Sequence, residues 1–316
     1  MESMLENNGD NIQLSVVVPA YNESSIIETC LSSITQLASR FKVELDLIVI
    51  DNGSTDDTAA LASNYTTNVH SIARNNVASA RNYGAQIARF ELLAFIDGDV
   101  ELTEDWMHCL VDNASNFINN PLFLAGHQCV VPSDGSWIER YWFSNLKDKL
   151  LGSANMITTK TAFMAVGGFD NNLDTGEDYD YCRRSIDLGI NYFTNAKFKA
   201  IHWGFPNTLK SFMRRECWHG QGDFISFGRF LDSKVAMLAI ALISMHILFF
   251  YSILKGYILL SLLIFTGTMV VNTLITYKRF SDSPINLLFM NSFLNYCYFL
   301  ARAFSLARAL YFRKKS

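Results

Sequence analysis

Negative charge is almost missing from the last quarter of this 316-residue chain. Between residues 235 and 312 the only acidic side chain is Asp282, whereas residues 1–232 hold nearly all the carboxylates. A surplus of positive charge is missing too. With 26 Lys and Arg against 30 Asp and Glu the formal net charge is −4, which excludes a general nucleic-acid binder, since that would need a basic face. Six cysteines (30, 109, 129, 182, 217 and 297) are scattered with no CxxC pair and no zinc spacing; they read as reduced thiols in a cytosolic compartment. The polar start, MESMLENNGDNIQ, has no apolar h-region, so no cleaved signal peptide is expected. Charged residues make up 18% and hydrophobic ones 50%, greasy for a soluble protein and sparse for one wholly embedded in lipid. That average conceals two parts.

The first part alternates strand and helix patterns. LSVVVPAYN (14–22) is a β-branched run stopped by Pro19, followed by apolar positions Ile26, Ile27, Cys30, Leu31, Ile34 and Leu37 at helical spacing. LDLIVIDNGSTDDT (45–58) repeats the device, with a helix beginning near Asp56. A short strand near 69–72, a helix at about 77–90 and a buried strand at 92–96 come next. Strands separated by helices imply βαβ units and a parallel sheet covered on both faces. Ligands of such sheets gather outside the carboxyl ends of the strands, where the polar turns after 19, 51 and 96 all fall. Beyond residue 123 the pattern predicts a strand in FLAGHQCVV, an aromatic-rich amphipathic helix over 136–150, and a strand from Asn155 running into a helix at 160–166. A helix from Glu177 and a last strand over 192–201 ending at His202 follow.

The second part is the tail. Val235–Leu254 and Gly256–Tyr277 are apolar runs separated by Lys255, each long enough at 1.5 Å per residue to cross a hydrocarbon core of ~30 Å. Buried core helices are the alternative. Arg214, Arg215, Arg229 and Lys234 precede the pair and Lys278 and Arg279 follow it, so both outer ends are expected on the cytoplasmic side. In 285–312, Asn291, Asn295, Tyr298, Arg302 and Ser305 share one narrow helical stripe. That suits an in-plane interfacial helix, with a third span as the alternative.

Asp97-Gly98-Asp99 closes the apolar run Leu92–Ile96. Two carboxylates there suit a divalent cation shared with substrate phosphates, although Asp-Gly-Asp is also ordinary turn chemistry. Asp51 is placed to accept hydrogen bonds from a nucleobase or ribose; the competing helix-capping role belongs better to Ser54 or Asp56. Glu177-Asp178 offers a carboxylate base at a helix start, where acids are also favoured by the helix dipole. His202 is either structural or a metal ligand. Arg214, Arg215 and the loop at 218–223 read as membrane-proximal basic residues or lid elements.

VVVPAYNE, IVIDNGSTDDT, NNVASARNYGAQIA, FIDGDVEL and GGFDNNLDTGEDYDYCRR, in this order over residues 14–205, resemble the motifs of family 2 glycosyltransferases. The resemblance implies a GT-A fold, a Rossmann-like mixed α/β sheet with helices on both faces. It implies that Pro19, Tyr21, Glu23 and Asp51 hold the nucleotide base and ribose, and that Arg81 lines the donor site. Asp97 would contact ribose or metal, and Asp99, joined by His202, would bind Mg²⁺ or Mn²⁺. Asp178 would be the catalytic base with Glu177 supporting it; Asp174 and Asp180 are nearby decoys. The QxxRW motif of processive synthases is missing from RRECWHGQG, so polymer extrusion is not expected.

The expected organisation is therefore a disordered stretch over 1–12, a GT-A domain over 13–232, two transmembrane helices over 233–280 and an amphipathic or third membrane helix over 281–316. The expected activity is inverting, metal-dependent transfer of one sugar from a UDP- or GDP-linked donor to a lipid-linked acceptor. It would act at the cytoplasmic face of the inner or plasma membrane, in surface polysaccharide or glycolipid assembly. A polyprenyl-phosphate sugar synthase is the second enzymatic reading. A non-catalytic nucleotide-binding membrane scaffold is the reading of another class.

Overall fold

The computed structural model describes residues 12–146, 150–224, 227–281 and 283–313; the stretch 1–12, expected as disordered, lies almost wholly outside them. Contacts divide the chain into two compact units. One comprises the residues up to Pro132 and the stretch ending at Gly204; the other comprises the segment that starts at Ser133 and everything from Phe205 onward.

The first unit begins with β1 (Gln13–Ala20), α1 (Ile27–Arg40), β2 (Glu44–Asp51), α2 (Thr58–Ala62), β3 (Val69–Ser71), α3 (Val77–Ile87) and β4 (Leu92–Ile96). It continues with β5 (Val100–Leu102), α4 (Glu104–Asn119) and β6 (Phe123–Gly126). The second unit contributes the short α5 (Trp137–Tyr141), after which the first resumes with β7 (Asn155–Thr159), α6 (Lys160–Val166), α7 (Glu177–Asp187), β8 (Asn191–Thr194) and β9 (Ala200–His202). Seven strands form one sheet in the order β3-β2-β1-β4-β7-β6-β8. β1 to β4 run parallel, while β7 lies antiparallel between β4 and β6. The turns after β1, β2 and β4 therefore share one edge.

Strand alternation sorts the core. Val16 and Val18 of β1 pack with α1 and α4, whereas Val17, with Ile48 and Ile50 of β2, packs with α3, α6 and α7. Both faces are covered, which is why the central strands carry unbroken apolar runs. Local capping matches the chain: Asn76 accepts from the Ser79 N–H at the start of α3, and Thr103 and Thr159 cap α4 and α6 in the same way.

Two expectations change. The last strand, expected as one run over 192–201, is two. β8 joins the main sheet, the chain turns where the Phe198 N–H meets the Asn195 carbonyl, and β9 pairs antiparallel with β5. The helix expected over 136–150 stops at Tyr141 and tightens into a 3-10 turn at Phe143–Asn145; residues 147–149 lie outside those described.

The second unit adds α8 (Leu209–His219), a 3-10 turn (Gly220–Phe224), α9 (Phe227–Asp232), α10 (Lys234–Leu254), α11 (Ile258–Arg279) and α12 (Leu288–Arg313). Two of these helices, α10 and α11, are long and apolar enough to cross a membrane. The polar stripe of α12 is turned inward rather than left at a polar surface. Asn291, Asn295 and Ser305 are each no more than 1% exposed, and their helix packs against α8, α10 and α11. The Asn295 amide finds partners there: its Nδ2 donates to Asn272 Oδ1 at 2.9 Å, and Arg279 donates to its Oδ1 at 3.0 Å.

Candidate active site

The cleft edge of the first unit is assembled by loops that fasten to one another. The Asn22 N–H donates to Ser54 Oγ (3.0 Å) and the Thr55 N–H donates back to Asn22 Oδ1 (2.8 Å), joining the turns after β1 and β2. Asn52 clamps the next loop in a reciprocal amide pair. Its Nδ2 donates to the Asn75 carbonyl and its Oδ1 accepts from the Asn75 N–H. Arg74 is thereby held with its guanidinium 3.5 Å from the centre of the Tyr21 ring. No spacing in the sequence signalled that pair. Asp51 is buried at the end of β2, and its Oδ1 accepts from the Ser54 N–H at 3.0 Å, so one oxygen of the nucleotide candidate also shapes its own turn.

One strand further on, β4 delivers Asp97 and Asp99. β5 and β9 pair Val100 with His202, which brings His202 Nε2 to 3.1 Å from Asp99 Oδ2. Gly204 closes over them: a Cβ there would lie 1.7 Å from Asp99 Oδ2 and 3.4 Å from His202 Nε2. Glu23, reaching in from the β1 turn, is pushed up to about 8 by burial and by the Asp99 and Asp97 carboxylates. Three carboxylates thus crowd this corner.

Arg81 links this corner to α7. It is 2% exposed, and it donates to Asp97 Oδ1 at 2.5 Å and to Glu177 Oε1 at 2.8 Å. Burial works against its charge, but Asp97 and Glu177 more than offset that and hold it protonated. Beside it, Asp178 is half-buried and its Oδ1 accepts from the Tyr179 N–H at 2.7 Å. Burial raises the pKa of both Glu177 and Asp178, with Arg81 pulling the other way. The structure thus joins Glu23, Arg81, Asp97, Asp99, Glu177, Asp178 and His202 around one corner, with Pro19 and Asp51 on the neighbouring strands and Tyr21 in the turn after β1. Asp180 instead pairs with Arg184 along its own helix.

The donor set fits a hard divalent cation. Asp99 and His202 converge, with the carboxylates of Asp97 and Glu23 close by. Among the described residues no three His, Cys, Asp or Glu side chains form a ready cage.

Comparison with known proteins agrees with this architecture. The chain is 29% identical over 190 residues to glycosyltransferase AglE of Haloferax volcanii, covering 56% of this chain and 62% of AglE, less than two thirds of that relative's length. It is 26% identical over 226 residues to amylovoran biosynthesis glycosyltransferase AmsB of Erwinia amylovora, covering 61% of this chain and 74% of AmsB. The mannosyltransferase PcManGT of Pyrobaculum calidifontis, solved with GDP-Man and Mn²⁺, superposes with a TM-score of 0.58 at 15% identity, over 95% of this chain and 88% of that one. Residues 15–164, which span β1 to β7 and so carry most of this strand edge, match the model of glycosyl transferase family 2. Over residues 15–164 the chain thus matches a family 2 glycosyltransferase domain, and its fold is that of GT-A.

Proposed function

We propose that this chain is an inverting, metal-dependent glycosyltransferase. It moves one sugar from a UDP- or GDP-linked donor to a lipid-linked acceptor at the cytoplasmic membrane face, in surface polysaccharide or glycolipid assembly. The observation that carries the reading is Arg81, buried between Asp97 and Glu177. It brings carboxylates suited to a diphosphate and its cation into one site with carboxylates suited to an acceptor proton.

Tyr21, Asp51, Glu23 and the end of β1 at Pro19 form the donor side, where the ring offers a stacking face and Asp51 an acceptor for base or ribose. Asp99 and His202, with Asp97, would hold Mg²⁺ or Mn²⁺. Such a cation, when bound, stabilises the charge developing on the departing nucleoside diphosphate. Asp178 takes the proton from the attacking hydroxyl; burial raises its basicity toward that task. The Tyr179 N–H helps to fix its carboxylate. Glu177, held by Arg81, keeps the start of α7 in place. The GDP-Man and Mn²⁺ bound by PcManGT support a nucleotide-sugar and a cation here, and the two membrane-length helices support an acceptor that resides in lipid. Confining the cleft to the acceptor's plane raises its effective concentration.

The test is transfer by the full chain from a panel of nucleotide-sugars to membrane lipid extract. Asp178→Asn should keep donor affinity within about a few-fold and lower kcat by about 10²–10⁴. Collapse of donor binding would move Asp178 to the nucleotide site. Full turnover of the wild type in excess chelator would remove the cation, and donor consumption without any lipid product would remove the acceptor.

A further inference from the structure

α8 has two unlike faces. Its inner face is fixed within the helical unit. Glu216, 3% exposed, accepts from Arg215 and from Arg302 of α12, each at 3.1 Å. Ser305 of α12 donates to the Cys217 carbonyl at 2.9 Å. At the end of α8, Gly220 lets α12 approach so closely that a Cβ would lie 2.2 Å from Ser305 Oγ. Arg215, one of the two adjacent arginines, is therefore committed inward, where its guanidinium also lies 5.1 Å from the Phe143 ring centre.

The outer face is different. Lys210, Arg214 and Trp218 are all exposed and follow one another at four-residue spacing, so they form a single stripe along α8. Trp218 leaves 43% of its surface uncovered. The next helix, α9, exposes Phe227 (75%) and Leu231 (51%), again four residues apart, and leads directly to α10 at Lys234. Two cations in line with an uncovered indole, followed by uncovered apolar side chains at the entrance to a membrane-length helix, match the chemistry of a lipid surface. Phosphates meet the cations, and an indole prefers the boundary between headgroups and acyl chains.

We propose that the outer stripe of α8, with Phe227 and Leu231 of α9, lies on an anionic lipid headgroup surface. Lys210 and Arg214 meet lipid phosphates, and Trp218 inserts at the headgroup boundary. The proposal rests on the reading of α10 and α11 as membrane helices. Charge complementarity and the continuity of α9 with α10 single out the bilayer as occupant. Arg215 takes no part.

The experiment uses the full chain reconstituted in vesicles containing phosphatidylglycerol, with acyl chains brominated near the carboxyl end. Tryptophan emission of wild type and Trp218→Phe is subtracted to isolate Trp218. Bromolipid should quench most of that difference and aqueous iodide little of it. The paired substitution Lys210→Gln with Arg214→Gln should shift Trp218 back toward iodide. Quenching of Trp218 by iodide alone, in protein that resists carbonate extraction, overturns the proposal and leaves the membrane helices standing. Shielding from both quenchers means that protein covers the stripe, and also overturns it. Release of the chain by carbonate overturns the proposal together with the membrane reading.

Discussion

The two units bury polarity in different currencies. In the sheet unit the polar groups buried at the strand edge include ions: Arg81 and Glu177 are 2% and 7% exposed, with the more open Asp97 between β4 and the guanidinium. In the helical unit the buried polar side chains of α11 and α12 are mostly neutral: Asn272, Thr276, Asn291 and Asn295 are each at most 4% exposed. Among the described residues, ion pairs of this unit lie at Glu216, Asp223 and their arginines, and Arg279 meets the seam between α11 and α12 through a neutral amide, Asn295. Buried charge costs more than buried amide and is worth keeping where a charged ligand must be met. Neutral hydrogen-bonding groups suffice to hold helices together in apolar surroundings.

The largest effect expected from breaking this contrast is on folding of the sheet unit. Arg81→Met leaves Asp97 and Glu177 without their shared cation, and loss of one member of a buried pair costs about 3–5 kcal/mol. Denaturant unfolding should register it directly. The exposed pair of Arg40 with Glu104 provides the control: Arg40→Ala should cost no more than about 1 kcal/mol. Equal costs for the two variants would mean that Arg81 is not a buried strut at all.

Gly204→Ala tests the cation corner with a smaller change. The new methyl would collide with Asp99 Oδ2 and turn that carboxylate away from His202. Mn²⁺ affinity, read by electron paramagnetic resonance, should fall by about 10–100-fold, the usual size of an effect on ligand orientation. Unchanged affinity would place the ion elsewhere.

Acidity sharpens the contrast further, since Asp178 is raised above its ordinary value of 3.8 chiefly by burial. In its proposed role as base it works only when unprotonated, so kcat should fall on acidification with a midpoint above that value. Stability runs the other way. The fold binds this proton more tightly than the unfolded chain, so the contribution is complete below 3.8 and is lost as pH rises through the raised value. Asp178→Asn should abolish both trends. An acid limb of kcat surviving in that variant would assign the proton to another group.

Much of this was legible from the sequence because it depends on local pattern. Apolar runs ending in Asp51 and Asp97 specify parallel strands with carboxylates at one edge, and the acids at 177 and 178 mark a helix start. What was not legible depends on distant partners. Nothing in FLAGHQCVV or in the run up to His202 says that residues 200–202 leave the main sheet for β5. That follows from pairing between segments 100 residues apart. The stacking of Arg74 on Tyr21 depends on an amide clamp between two loops. The polar positions of α12 share one face, but periodicity identifies a face without saying what packs on it; here α8, α10 and α11 do. The segment 136–150 carries a helical pattern, yet its aromatics are spent on packing. Trp142 lies 5.3 Å from Phe212 and 5.2 Å from Phe280, ring centre to ring centre, and these tertiary contacts override the helix.

The smallest effect is expected in the neutral seam. Asn295 receives a hydrogen bond from Arg279 at the end of α11 and donates one to Asn272, while Asn272 Nδ2 donates to the Ser292 carbonyl at 2.9 Å. Removing Asn295 leaves neither neighbour with a buried charge beyond the one Arg279 already carries. In lipid the unfolded reference helices also find partners, so interhelical hydrogen bonds average about 0.6 kcal/mol and reach about 1.7. Asn295→Ala should therefore destabilise the α10–α12 bundle by about 1 kcal/mol in bicelles, measured by detergent-driven unfolding. Asn272→Ala should cost a similar amount, and the double variant less than the sum, because the two amides share one bond. Additive costs would show that the amides act separately. A loss for Asn295→Ala as large as that for Arg81→Met would mean that the helical unit depends on its polar seam as heavily as the sheet unit depends on its ions.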